Sequence, residues 1–420
     1  MDWTLLVPGA LVAPRLAPEL ARALDAPLLA AQLRDARAVA AGPGRAATAH
    51  LAPEARQAVH WAWLAGHFGL DPAATATAPY AWHWIGDATA DVAADAEAVA
   101  GADVATGAVP DAEADLPADR ADATLWVAYC TPVHLAIARD HFVVSDLGAA
   151  PLQDAEAREL LDRANAVLAA EPPAARGAGE PPLRLAQRGG TWFLLAPQPL
   201  ELQTWQLDAV LGQSVQDRLP VGPAARRWRV LVNEIQMSWH ASASAAARED
   251  AGARAANALW LHGGGRWSAL ALPTGSGTAL RMAGAVAEDA VVRGWLQAGG
   301  VAAPAQAPTA TLAVCRALFS AHAHQAWESW LEAWPAVEAR LDAELDAARQ
   351  AGARRFELVL CGAHGARVLA LPLRTPWWHR LRRPTPAAAI VQRWLAEPAP
   401  PAASARTGGA HAGASHRAAA

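Results

Sequence analysis

The segment Trp228–Gly265, WRVLVNEIQMSWHASASAAAREDAGARAANALWLHGGG, decides how the rest of the 420-residue chain is read. Its apolar residues Trp228, Leu231, Val232, Ile235 and Trp239 recur at the spacing of one helical face, with Asn233, Glu234 and Gln236 on the other sides. Pro220 and Pro223 supply the break before this helix. A polar Arg248-Glu249-Asp250 turn then leads to a short apolar strand, Ala258-Leu259-Trp260-Leu261, and on to His262-Gly263-Gly264-Gly265. Consecutive glycines let a backbone approach a neighbour that side chains would hold off. The run reads either as a plain tight turn or as the wall of a ligand site.

Composition bounds the function. The chain is too long for one ordinary core, so two units, or one large domain carrying an insertion, are expected. Apolar residues make up 53%, enough for a sizeable core. All 35 basic residues are arginine, which excludes a P-loop, a Schiff base and a lysine general base. A net charge of −5 argues against general nucleic-acid binding. Cys130, Cys315 and Cys361 are odd in number and far apart, so neither a disulfide framework nor a zinc site is indicated, and the expected location is cytoplasmic. The N-terminus lacks a basic n-region, and no run approaches the ~18 apolar residues of a membrane span, so no membrane partner is expected.

Thr4–Val7 reads as the first strand of an α/β fold, ending at Pro8-Gly9. Pro18–Ala40 is expected to be helical with a break at Pro27, and Leu51–Leu70 to be a further helix with Trp61, Trp63 and Phe68 in the core. Gly86–Asp122 carries ten acidic residues against Arg120 alone and reads as a mobile linker. Strands at Thr124–Cys130, His134–Ala138 and Phe142–Val144, a helix from Asp154 to Leu168 and a strand at Thr191–Leu195 make a compact α+β unit. Past Gly265 the alternation resumes, with a candidate strand at Thr311–Phe319. A tryptophan stripe through Trp327, Trp330 and Trp334 then marks a helix or helix pair with Pro335 near its middle, and is read as core. Phe356–Cys361 and Val368–Leu373 complete the strands. The expected division is residues 1–85 and 215–397 for one α/β core, 86–122 for the acidic linker, 123–214 for the inserted α+β domain and 398–420 for a disordered tail.

Arg248, Gly252, Ala256, Asn257, Trp260, Leu261, Gly263 and Gly265 follow the pattern Arg-x-x-x-Gly-x-x-x-Ala-Asn-x-x-Trp-Leu-Trp-Gly-x-Gly, with His262 at the second Trp position. In this the chain resembles a bacterial family of RpfE-type regulatory proteins and, behind it, the archaeal-type cofactor-independent phosphoglycerate mutases. The resemblance implies an alkaline-phosphatase-like core sheet and, in the mutases, two divalent metals held by Asp and His beside a Ser nucleophile. Here the carboxylates and the serine of those motifs are missing. The Asp-Gly after the first strand is Pro8-Gly9, and the Ser-Asp-x-Ala motif corresponds to Ala46-Ala47-Thr48-Ala49. The Asp-x-x-x-His pair is represented by His322 and His324 without the Asp, the Asp-His turn by Ala363-His364, and the downstream His by His379.

The leading expectation is a non-catalytic regulatory or ligand-binding protein on this scaffold, a pseudoenzyme with no metal or other cofactor. Its ligand is expected to be a small anion or phosphorylated metabolite held by Arg248, Asn257, Trp260, His262, Gly263 and Gly265. A plainer reading pairs Arg248 with Glu249 or Asp250. The alternative is an active mutase or related phosphoryl-transfer enzyme, with two manganese-type divalent metals near His322, His324, His364 and His379. Nucleic-acid binding would rest on the four arginines of Arg374–Arg383 around Trp377 and Trp378, a cluster that in an acidic chain more often pairs with its own carboxylates. No protein partner is indicated.

Overall fold

The computed structural model describes residues 2–39, 51, 55–86, 125–138, 141–148, 150–176, 181–272, 280–283, 286–300, 310–374 and 386–398. The Ala46–Ala49 motif, His379, nearly all of the acidic linker and of the arginine cluster, and the tail beyond Pro398 lie outside these residues. The strands are β1 (Asp2–Val7), β2 (Arg37–Ala38), β3 (Trp126–Ala138), β4 (His141–Ser145), β5 (Arg184–Arg188), β6 (Thr191–Ala196), β7 (Ala258–Arg266), β8 (Leu280–Ala283), β9 (Ala310–Val314), β10 (Arg355–Cys361) and β11 (Ala366–Leu371). The helices are α1 (Ala17–Ala23), α2 (Pro27–Arg34), α3 (Val59–His67), α4 (78–86), α5 (Asp154–Ala169), α6 (Ala225–His240), α7 (Ala243–Asp250), α8 (Val286–Ala298), α9 (Phe319–Ala323), α10 (Trp327–Glu332), α11 (Trp334–Gln350) and α12 (Ala387–Leu395).

A six-stranded sheet in the order β2-β11-β10-β1-β9-β8 is assembled from both ends of the chain. Its central strand is β1, parallel to β10 with Trp3 beside Phe356, and parallel to β9 with Thr4 beside Leu312. That meets the expectation that the strand at Thr4 shares a sheet with the one at Phe356. A strand with both faces covered reads as a continuous apolar run, and β1 is buried from Trp3 to Val7. Successive side chains point to opposite faces. Trp3, Leu5 and Val7 enter a core layer with α1, α2, α11 and α12, whereas Leu6 enters the opposite layer with α3, α4 and α8. Pro27 opens α2 at its first residue, and Pro335 lies in the first turn of α11 rather than at a kink. Both prolines stand where a missing N–H costs nothing.

The second sheet runs β4-β3-β6-β5, with β7 added on β3. Strand β3 continues from Trp126 to Ala138 without the turn expected after Cys130, and Pro132 is tolerated within it opposite Leu259. Helices α5 and α6 cover this sheet through Leu160, Ala164, Leu168, Trp228, Ile235 and Trp239. The α6 face is the one the sequence spacing marks, and the Trp239 indole N–H donates to the Leu160 carbonyl at 2.8 Å. The α/β class with a smaller α+β unit between the two parts of the core is therefore present. The expected boundary before residue 215 does not follow the strand pairing, because β7 is hydrogen-bonded to β3.

Candidate functional site

Open α/β sheets bind ligands in crevices outside the carboxyl ends of their parallel strands. A cleft of about 280 Å³ lies at that position here. Gly9 follows β1, Gly362, Ala363 and His364 follow β10, and Phe319 and His322 come from α9 after β9. The walls are completed by the first turn of α3, by Trp205 to Leu211 of the second unit, and by Arg15, Arg218 and Glu397. Arg15 is exposed. Arg218 lies 4.5 Å from the Trp205 ring centroid, and Arg56 lies over the same ring at 5.8 Å.

Among the described residues, the two carboxylates that line the cleft are already engaged. Asp208 accepts from Arg316 at 2.9 and 3.0 Å and from the Trp61 indole at 2.9 Å, and His60 Nε2 lies 2.9 Å from it. Burial alone would raise the Asp208 carboxyl, but the Arg316 charge and the His60 contact outweigh it and hold it well below the usual carboxylate range. Glu397 Oε1 accepts the backbone N–H groups of His364 at 2.7 Å and of Gly365 at 3.1 Å. Burial lowers the pKa of His322, opposed by the charge of Glu397 and a hydrogen bond at Leu11, so its neutral form is favoured. His322 and His364 both line the cleft. His324 points away, with Nδ1 2.8 Å from the Ser320 carbonyl and Nε2 3.3 Å from Ser145 Oγ.

A dication site needs hard oxygen donors as well as imidazoles. The strand ends where the mutase motifs have carboxylates carry Pro8 and Ala363. Among the described residues no group of three or more His, Cys, Asp or Glu side chains is arranged to hold a metal ion. The described residues do not by themselves supply the donors of the two-metal centre in the alternative reading, and His379 lies outside them.

The residues expected to hold a ligand do not line this cleft. Arg248 is buried; its guanidinium donates to Glu156 at 3.0 Å and to the carbonyls of Arg254 at 2.7 Å, Pro151 at 3.5 Å and Ala150. Its partner is Glu156 at the start of α5, not Glu249 or Asp250. Asn257 clips β7 to β3, accepting from the Leu135 N–H at 2.7 Å and returning a bond to its carbonyl at 3.1 Å. Trp260 is buried and donates to the Trp205 carbonyl at 2.8 Å. His262 stacks on Tyr129 at 5.0 Å, and burial lowers its pKa to about 4. Gly263 and Gly265 are not in a turn. They belong to β7, and a Cβ on Gly264 between them would lie 2.3 Å from the Trp126 ring. The glycines do permit a close approach, but to the protein's own aromatic rings and to residues 76 and 77.

Sequence reasoning missed Arg15, His60, Asp208, Arg218, Arg316 and Glu397. Asp208 and Arg316 stand 108 positions apart, and only the fold brings them together. Pro8-Gly9 and Ala363-His364 were the legible traces of the cleft.

Sheet, layers and cleft define an α/β protein with a cleft, partly lined by polar groups, at the carboxyl ends of its central parallel strands. No protein-family model matches the chain, and no curated protein matches it. Among solved structures, PH0037 protein from Pyrococcus horikoshii is similar over 88% of this chain and 86% of that one, at 11% identity and a TM-score of 0.38. The cofactor-independent phosphoglycerate mutase from Thermoplasma acidophilum DSM 1728 is similar over 88% and 89%, at 10% identity and a TM-score of 0.29. Neither likeness, at such identity and TM-score, carries an inference about activity.

Proposed function

We propose that this chain is a non-catalytic regulatory or ligand-binding protein that takes up a small anionic, phosphorylated metabolite in the cleft outside β1, β9 and β10. One observation carries the reading: among the described residues two arginines and three histidines line the cleft, while its carboxylates Asp208 and Glu397 are held by the protein. Arginine forks bind phosphate or carboxylate oxygens without a metal. The motif resemblance to RpfE-type regulatory proteins and the alkaline-phosphatase-like mutases agrees with a site that keeps its position and has lost its carboxylates. A cofactor-free, cytoplasmic protein without a nucleic-acid partner fits the acidic chain and its three free cysteines.

Calorimetric titration with inorganic phosphate and 3-phosphoglycerate tests the reading. A charged hydrogen bond is worth about 1.5–3 kcal/mol, so Arg15→Ala and Arg218→Ala should each weaken binding about ten- to a hundredfold. No conversion of 3-phosphoglycerate is expected with or without manganese. Wild-type protein that binds neither anion, or that turns the substrate over, would overturn it.

A further inference from the structure

The turn after β10 is built to bind an oxyanion, and the protein's own C-terminal segment fills it. The backbone N–H groups of His364 and Gly365 converge on the single oxygen Oε1 of Glu397, at 2.7 and 3.1 Å. Two successive N–H groups aimed at one oxygen form a concave anion nest. A Cβ on Gly362 would lie 2.3 Å from the same oxygen, so the turn leaves room for a carboxylate that a larger residue would evict. His322 and His364 stand beside it in the cleft, and Glu397 is close enough to act electrostatically on His322.

The backbone of Glu397 is anchored independently of its side chain. Its N–H donates to the Val12 carbonyl at 2.9 Å, Val12 donates to the Leu395 carbonyl at 2.9 Å, and the Ala396 carbonyl accepts from Arg367 at 2.9 Å. Helix α12, just before it, packs into the core through Ile390, Val391, Trp394 and Leu395. The carboxylate is thus presented on a fixed strap, and side-chain rotation alone can withdraw it from the nest.

We propose that the N–H groups of His364 and Gly365 form the oxyanion subsite of the cleft, for a phosphate or carboxylate group of the ligand, and that Glu397 occupies this subsite as a built-in competitor. This rests on the reading of the cleft as an anion site. A ligand oxygen and the Glu397 carboxylate cannot share the two donors, and two like charges at one nest repel. The apparent affinity is therefore reduced by the fraction of molecules in which the nest is free.

Titration of the full chain with inorganic phosphate, for wild type, Glu397→Ala and Glu397→Gln, tests this. Glu397→Ala empties the nest and should bind phosphate about tenfold more tightly, the factor expected if the nest is free in about a tenth of wild-type molecules. Glu397→Gln keeps the shape and an acceptor oxygen but not the charge, and should gain less. The amide resonances of His364 and Gly365 should shift on phosphate addition in Glu397→Ala, which locates the effect at the nest. If wild type binds phosphate in an Arg15-dependent manner and both Glu397 variants bind it equally well, the subsite proposal is overturned and the cleft reading stands. If none of the three proteins binds phosphate, both are overturned. Equal thermal unfolding of Glu397→Gln and wild type guards against a fold effect.

Discussion

Removal of the Arg248 side chain would leave Glu156 and the carbonyls of Ala150, Pro151 and Arg254 without their shared donor. The ion pair is mostly buried, its side chains 9% and 13% exposed. Breaking one partner of such a pair strands the other in a poor solvent, and Arg248→Ala should lower unfolding free energy by roughly 3 kcal/mol. Phosphate affinity of the folded variant should not change. Denaturant titration and calorimetry read the two quantities separately, and a variant of full stability with lost phosphate binding would return Arg248 to the ligand. An arginine in a Gly- and Asn-bearing segment looks the same in sequence whether it faces a ligand or its own chain. The partners that decide, Ala150, Pro151 and Glu156, come from an element about ninety residues earlier.

At the scale of elements, the α6 face and the strands β1 and β10 could be read because periodicity and apolar runs act locally, whereas their shared sheet was expected only from the strand–helix alternation on both sides of the acidic linker. The glycine run could not. Glycine's turn preference suggested a stop after Leu261, but β7 extends to Arg266 because Trp126, Ala128 and residues 76 and 77 lie against its backbone. On Gly264 an added Cβ would meet Trp126 ring carbons at 2.3 and 2.7 Å and the Ala128 Cβ at 3.1 Å. Overpacking of this kind costs about 1–3 kcal/mol, so Gly264→Ala should lower the unfolding midpoint while leaving phosphate binding intact. An unchanged midpoint would show that the ring can move aside. The cleft was less legible than the strands, since its arginines and carboxylates sit on loops whose positions follow only from the assembled sheets.

Over the whole molecule, stability should fall with acid in two steps. His262 has its pKa lowered to about 4 by burial, against an unfolded value near 6.5. The unfolded chain therefore binds more protons between these values. The stabilising effect is complete above about pH 6.5 and is lost as pH falls toward 4. Asp208 adds a later step: its folded pKa is depressed below the unfolded value, near 3.9, so its contribution holds above that value and disappears as pH falls through the folded one. Denaturant midpoints measured from pH 7.5 down to about 2 should show the first step missing in His262→Phe and the second missing in Asp208→Asn. Curves for both variants that parallel wild type would remove these two groups from the acid response. Asp208 joins the turn Leu207–Ala209 of the second unit to α3 and Arg316 of the core, so the second step should also separate the units.

The central strand of the larger sheet is made long before the strand it pairs with. Residues Trp3 and Phe356, neighbours across β1 and β10, are separated by about 350 positions. At a synthesis rate of about 5–20 residues per second, β1 leaves the ribosome roughly 20–70 seconds before its partner exists. During that interval the five-stranded sheet, whose strands all lie between Trp126 and Arg266, can form from contiguous sequence alone. Vectorial synthesis therefore favours an order in which the middle of the chain folds first and the two ends meet last. Until then β1 stays an unpaired apolar strand, the kind of segment that chaperones shield on nascent chains.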